Sequence, residues 1–213
     1  MPEAKSKTSG PRRSVSMHGR AARRIQRIES ALATRPAQKV SLAEGERRAA
    51  VALILRSSES DELEMLLIKR ATYEGDPWSG HVALPGGRQE SLDTTLRDTA
   101  VRETREETGI DLSIHGHALG ELDDLAPRTP VLPPIIISPF VFSLGGDAHL
   151  VASPEVAEAF WVPVDALRAP GVAREIELFL HGGPRRVQSL QHGPHTIWGL
   201  TERILSQFFT LLD

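Results

Sequence analysis

Arg102-Glu103-Thr104-Arg105-Glu106-Glu107-Thr108-Gly109, preceded at short range by Pro85-Gly86-Gly87, constrains this chain more than any other stretch. At helical spacing Glu103 lies three residues from Glu106 and four from Glu107, so the three carboxylates share one flank. Like charges so stacked repel and weaken a helix unless something positive sits among them. Hard divalent cations such as Mg²⁺ or Mn²⁺ take oxygen ligands and suit such a cluster. The same residues also suit a solvated face, with Arg102 pairing to Glu106. The glycine turn, set at the right distance to feed the helix, favours a metal-dependent enzyme.

The surrounding pattern predicts an α/β fold. Residues 1–19 are polar, turn-rich and aperiodic, and are expected to form a disordered arm. Ala21, Ile25, Ile28 and Leu32 recur at helical spacing, so one amphipathic helix is expected from Arg20, stopping before Pro36. Strands are expected at Arg48–Leu55 and Glu64–Lys69 around a polar turn, and a short one at His81–Leu84. The carboxylate helix is expected to start near Asp93 or Thr94, as caps, and to end near Thr108 with Gly109 beyond it. Its inner side would carry Leu96, Ala100, Val101 and Thr104. Further strands are expected at His117–Leu122, Ile135–Leu144 and Ala159–Pro163. The prolines of Asp123–Pro134 exclude a regular element there. A short helix at Val164–Leu167, a hairpin between Glu175 and Trp198 completing the sheet, and a last helix at Leu200–Leu212 finish the chain. Mixed strands with a helix on each side make an α/β/α sandwich. The expected division is 1–19 arm, 20–36 helix and 37–213 catalytic domain.

Composition narrows the chemistry. Cysteine is absent, which removes disulfides, zinc–thiolate sites and a cysteine nucleophile. No apolar run is long enough to span a bilayer, so no membrane partner is expected. The net charge of −3 hides an asymmetry. Residues 1–40 hold ten Lys and Arg against Glu3 and Glu29, and the remainder is strongly acidic. A basic arm of this kind reads as a bacterial extension, an organellar targeting segment or a nucleic-acid tail. No aromatics interleave its basic residues, which counts against nucleic acid. A cytoplasmic location is expected, with mitochondrial targeting as the alternative.

The loop and helix resemble the signature of the Nudix hydrolases, G-x₅-E-x₇-R-E-U-x-E-E-x-G-U. Gly87, Asp93, Arg102, Glu103, Glu106, Glu107, Gly109 and Ile110 fill it, with Asp93 in the glutamate place and Arg102 one residue late. The extra residue, the run Glu90-Ser91-Leu92-Asp93 and Thr99-Ala100-Val101-Arg102-Glu103 resemble the coenzyme A pyrophosphatase branch. So do Leu66-Leu67-Ile68-Lys69-Arg70-Ala71, Gly80 and Leu84-Pro85-Gly86-Gly87 upstream, and Ile197-Trp198-Gly199-Leu200-Thr201 near the C-terminus. Two residues depart from that branch: Leu84 replaces Phe, and Asp76 stands where it has Arg.

The resemblance implies a Nudix-type sandwich and metal-dependent hydrolysis of a pyrophosphate bond, with Mg²⁺ or Mn²⁺ as cofactor. Coenzyme A or its thioesters would give 3′,5′-ADP and 4′-phosphopantetheine. ADP-ribose, NADH, dinucleoside polyphosphates and oxidised nucleotides are the alternatives, and a non-catalytic binding domain is a distant one. Arg102, Glu103, Glu106 and Glu107 are the expected catalytic residues, and Glu103, Glu106, Glu107 and the Gly87 carbonyl the metal ligands. Arg70, Trp78, Gly80, Gly86 and Arg88 are the expected substrate contacts, with Trp78 and Tyr73 either stacking on adenine or packing. The general base stays open among the cluster, Asp123, Asp124, Glu155 and Glu158. The partner is a small nucleotide, and a homodimer is compatible with the chain.

Overall fold

A computed structural model describes residues 19–41, 46–74, 79–127, 134–146, 148–180 and 182–213. The expectations for the arm, Asp76 and Trp78 fall outside them. At the centre, β1 (Arg47–Ser57) runs parallel to β6 (Ile135–Leu144) over nine residue pairs, from Arg47↔Ile135 to Leu55↔Ser143. Antiparallel neighbours are β2 (Leu63–Arg70) on β1, β7 (Val156–Pro163) on β2, and β5 (Gly116–Glu121) on β6. The mixed sheet has seven strands.

The first two strands part along their length, and that split positions the site. The last residues of β1 pair with β2, whereas Ala49–Val51 pair with β4 (Gly86–Arg88). On the other lip, β3 (Val82–Ala83) pairs with Ile68 and Lys69 of β2. Pro85 bridges the two short strands, and its carbonyl accepts from Ala52 N at 2.8 Å. The glycines after Pro85, expected as loop, are therefore a strand, because their backbone fills the open edge of β1.

Alternation along the strands loads both faces of the sheet. Leu53, Leu55, Met65 and Leu67 join one core with Ile28 and Leu32 of α1 (Arg20–Thr34) and Ile204, Leu205 and Phe208 of α5 (Gly199–Phe209). Ala50, Ala52, Ile54, Leu66, Phe140 and Phe142 join the other with Ala100 of α2 (Leu96–Thr108). The result is the expected sandwich. The N-terminal helix has the expected bounds, and Asp61 accepts its first amides, from Arg20 and Ala21, across 40 residues of chain.

Several expectations are corrected. The carboxylate helix starts at Leu96, capped by Thr95, whose hydroxyl accepts from Asp98 N while the Asp98 carboxylate accepts from Thr95 N at 2.8 Å. This reciprocal box satisfies two amides at once, so neither Asp93 nor Thr94 caps. Gly109 ends the helix with φ +74°. A one-turn helix α3 (Leu112–His115), not foreseen, follows on an Asp111 cap. The strands β8 (Ala173–Leu180), β9 (Gly183–His192) and β10 (His195–Trp198) form a separate three-stranded sheet and do not complete the main one. Alternation marks a strand but carries no information about its partner. Between them β7 and β8 flank α4 (Val164–Leu167), as expected.

Candidate active site

Where the two lips of the split meet, α2 lies across β1 and β4. Gly86 has φ +154°, and a Cβ there would stand 2.3 Å from the Ala50 carbonyl oxygen. Only glycine lets this backbone lie so close to β1. Gly86 N donates to Glu107 Oε2 at 2.9 Å. A Cβ on Gly87 would meet Glu103 Oε1 at 2.3 Å, so that carboxylate rests on the bare face of the glycine. Arg70, the last residue of β2, brings Nη1 to 4.0 Å from Glu107 Oε1.

The three carboxylates are not equivalent. The Glu107 side chain is 6% exposed, Glu103 18% and Glu106 52%. Burial pushes Glu107 up to about 7, against the Gly86 amide, with Glu103 raising it further, Arg70 opposing and Glu155 adding to the rise. Burial also raises Glu103, while Arg102 opposes that rise.

Arg102 holds this arrangement together. Its Nε and Nη2 grip Asp93 at 3.0 and 2.9 Å, and Nη2 also donates to the Arg88 carbonyl at 3.0 Å. Nη1 donates to Glu103 at 3.0 Å and Glu106 at 3.1 Å. All the guanidinium N–H groups are thereby spent on protein acceptors. Asp93 is held down to about 2, mainly by Arg102, and also accepts from Glu90 N and Thr99 Oγ1, each at 2.9 Å. The acid at position 93 is thus the anchor of Arg102. Sequence reasoning missed this because nine residues separate them and no local period links a loop to a helix.

The structure gathers Glu103, Glu107, Gly86, Gly87 and Arg70, and turns Glu106 outward beside Arg102. Arg88 is exposed and contributes its carbonyl, while Gly80 lies before His81 with φ +71°. Among the described residues no three acidic or histidine side chains form a ready-made cage. The donor set is oxygen only: two half-buried to buried carboxylates beside a glycine backbone. A carboxylate held up to about 7 by burial is relieved by a nearby cation, and Arg102 has no donor left to give. The residues therefore fit a hard divalent ion.

Three base candidates are committed elsewhere. Asp123 pairs with Arg35 and accepts from Gln38 N at 2.8 Å. Asp124, its side chain wholly buried, accepts from Val40 N at 3.0 Å and Ser138 Oγ at 2.7 Å. Glu158 sits 3.6 Å from His195 Nε2, and the ring of that histidine stacks on Phe160, which packs against the core opposite α2. Glu155 remains near Glu107. His117 bonds Glu29 at 2.8 Å, leaving the His115/His117 pair on the surface, as expected.

A model of the NUDIX domain matches residues 46–181. An uncharacterised protein of Schizosaccharomyces pombe is 36% identical over 151 residues, which is 62% of this chain and 46% of that protein. This chain thus spans about half that relative's length. An uncharacterised Nudix hydrolase, NudL, of Yersinia enterocolitica is 33% identical over 145 residues, covering 66% of this chain and 70% of that protein. Among solved structures, a MutT/nudix family protein from Enterococcus faecalis superposes with a TM-score of 0.52 at 23% identity, over 83% of this chain and 66% of that one. That likeness concerns the fold.

Proposed function

This chain belongs to the Nudix hydrolase family, whose members hydrolyse pyrophosphate bonds in nucleotide derivatives, and we propose that its substrate is coenzyme A or a coenzyme A thioester. The observation that carries the hydrolase reading is the pair of carboxylates, Glu103 and Glu107, laid against the glycine strand. Glu103 and Glu107, with the Gly87 carbonyl and Glu106 directly or through water, would hold Mg²⁺ or Mn²⁺, which neutralises pyrophosphate oxygens and acidifies the attacking water. Arg102 orients Glu103 and Glu106 and makes no substrate contact. Arg70, at the end of β2, faces the same carboxylates and is placed to meet an anionic oxygen of the substrate.

The coenzyme A reading is supported by the single extra residue between Gly87 and Arg102. The matching Leu66–Ala71 and Ile197–Thr201 segments support it too. One of these has a structural role besides: Thr201 Oγ1 donates to the Val82 carbonyl at 3.1 Å, tying α5 to the strand that feeds the glycines. Asp76, in place of an arginine, favours a second reading, in which another nucleoside diphosphate derivative such as ADP-ribose is the substrate.

Hydrolysis of coenzyme A, acetyl-coenzyme A, ADP-ribose, NADH and dinucleoside polyphosphates with Mg²⁺ or Mn²⁺, with product identification, tests both. Release of 3′,5′-ADP with the highest kcat/KM supports the first. No turnover of coenzyme A or its thioesters rejects it. Loss of activity in both Glu103→Gln and Glu107→Gln is expected, and retained turnover in both would sink the site.

A further inference from the structure

Among the described residues, β3 has a strand partner on one edge only. It pairs with β2 through Lys69↔Val82 and Ile68↔Ala83, and on that side the His81 carbonyl accepts from Arg70 N at 3.0 Å. Successive carbonyls of a strand point to opposite edges, so the Val82 carbonyl points away from β2, into the split. Val82 is buried, and a buried carbonyl left unpaired is costly. The Thr201 hydroxyl, buried in the first turn of α5, donates to it at 3.1 Å. Beside it Trp198, the last residue of β10, sets its ring against that of His81 with centroids 4.6 Å apart at 65°. Both holds come from beyond residue 181, where the match to the NUDIX domain ends.

Only Ala83, Leu84 and Pro85 separate Val82 from the glycines on which the carboxylates rest. Within that run the Pro85 carbonyl accepts from Ala52 N at 2.8 Å, and Leu84 is buried. Gly86 N then holds Glu107 at 2.9 Å, and Glu103 lies so close to Gly87 that a Cβ there would stand 2.3 Å from Oε1. A small shift of Val82 along or away from β2 therefore reaches both seats at once. With β2 on one side and Thr201 and Trp198 on the other, β3 is held from two directions just before it delivers the glycines.

We propose that Thr201 and Trp198 are positioning residues, a clamp from the C-terminal part of the chain that sets the glycine strand against α2 so that Glu103 and Glu107 can take one cation together. The inference rests on the hydrolase reading of the site. Neither residue touches the reacting atoms. Their action passes through the Val82 carbonyl and the His81 ring to Gly86 and Gly87.

The full chain tests this with Thr201→Val, Thr201→Ser and Trp198→Leu, and with Leu32→Ala, which loosens the core under α1, as a control for lost stability alone. Turnover of coenzyme A or ADP-ribose is followed against Mn²⁺ concentration, and hydrogen exchange of residues 82–88 is followed without metal. Thr201→Val should lower kcat roughly 10-fold and raise the Mn²⁺ needed for half-maximal activity several-fold, with KM little changed. The Gly86 amide should exchange faster in the metal-free variant. Thr201→Ser, which keeps the hydroxyl, should restore all three. Trp198→Leu should act in the same direction, and because Trp198 is half-buried it keeps the test open if Thr201→Val does not fold. Leu32→Ala should lower the unfolding midpoint while kcat and the Mn²⁺ requirement stay near wild type. A Thr201→Val or Trp198→Leu enzyme that loses only stability, like the control, overturns the clamp, as does failure of Thr201→Ser to restore function. Glu107→Gln measured alongside separates the levels: if it is dead while Thr201→Val and Trp198→Leu are fully active, the hydrolase reading stands and this inference falls. A wild-type chain inactive on every substrate overturns the hydrolase reading, while exchange at Gly86 still decides whether the clamp holds the strand.

Discussion

Glu107 bears a cost that the rest of the fold must meet, since its carboxylate is almost fully buried with one backbone amide and a distant guanidinium to steady it. Raised to about 7 from an ordinary 4.5, it stabilises the metal-free fold most when protonated. Its contribution is therefore full below pH 4.5 and fades as pH climbs through 7, amounting to about 3 kcal/mol. Denaturant titrations in EDTA should show stability falling over that window. Glu107→Gln should flatten the slope and be more stable than wild type above pH 8. Asp93 works in the opposite sense. Held down to about 2, it stabilises the fold above pH 3.8, and that contribution disappears as pH falls toward 2. Asp93→Asn should remove this acid limb and cost about 2 kcal/mol at neutral pH, leaving Arg102 half-satisfied. The carboxylates were legible in the sequence as a set. Their ranking from buried to exposed was not, because it depends on how far α2 rolls over β4.

The unit of strand, glycine turn and helix makes a sharper demand than its separate parts. At Gly86 an added methyl would strike the Ala50 carbonyl, which is fixed in the β1 ladder, and the φ of +154° is strained for any other residue. At Gly87 the obstacle is the end of the flexible Glu103 side chain. Gly86→Ala should therefore cost about 2 kcal/mol or more in thermal or chemical unfolding. Gly87→Ala should unfold close to wild type yet lose most of its turnover, because Glu103 is pushed aside. Equal stability losses in the two variants would contradict this account. The contrast also explains which elements the sequence discloses. The N-terminal helix was readable to the residue because Ala21, Ile25, Ile28 and Leu32 write its period directly. A strand made of Gly86, Gly87 and Arg88 has no side-chain pattern to read. The Thr95–Asp98 box was not read, because Asp93 and Thr94 just before it are capping residues of the same kind.

Across the whole molecule, the sheet is clamped between two cores, and only one of them, beneath α2, adjoins the carboxylates. The opposite core includes α1, held at its start by Asp61 and at its end by the Arg35–Asp123 pair. Patterning exposed both apolar faces, whereas the pairing of the C-terminal strands into their own sheet came from tertiary contacts that no local period encodes. A cation bound near Glu107 must stabilise the entire clamped structure, because the carboxylates exist as a set only when it is folded. At a concentration 100 times its Kd, binding to the folded state alone adds about 2.7 kcal/mol. For a chain of this size that raises Tm by roughly 5–10 °C. The effect should depend on pH with a definite sign: at pH 8 Glu107 is ionised and ready, while at pH 5 the ion must first displace a proton held with a pKa of about 7. Scanning calorimetry with Mn²⁺ or Mg²⁺ should give a large shift at pH 8, a much smaller one at pH 5, and almost none at either pH for Glu107→Gln. A shift that is the same at both pH values and survives Glu107→Gln would move the ion away from these carboxylates.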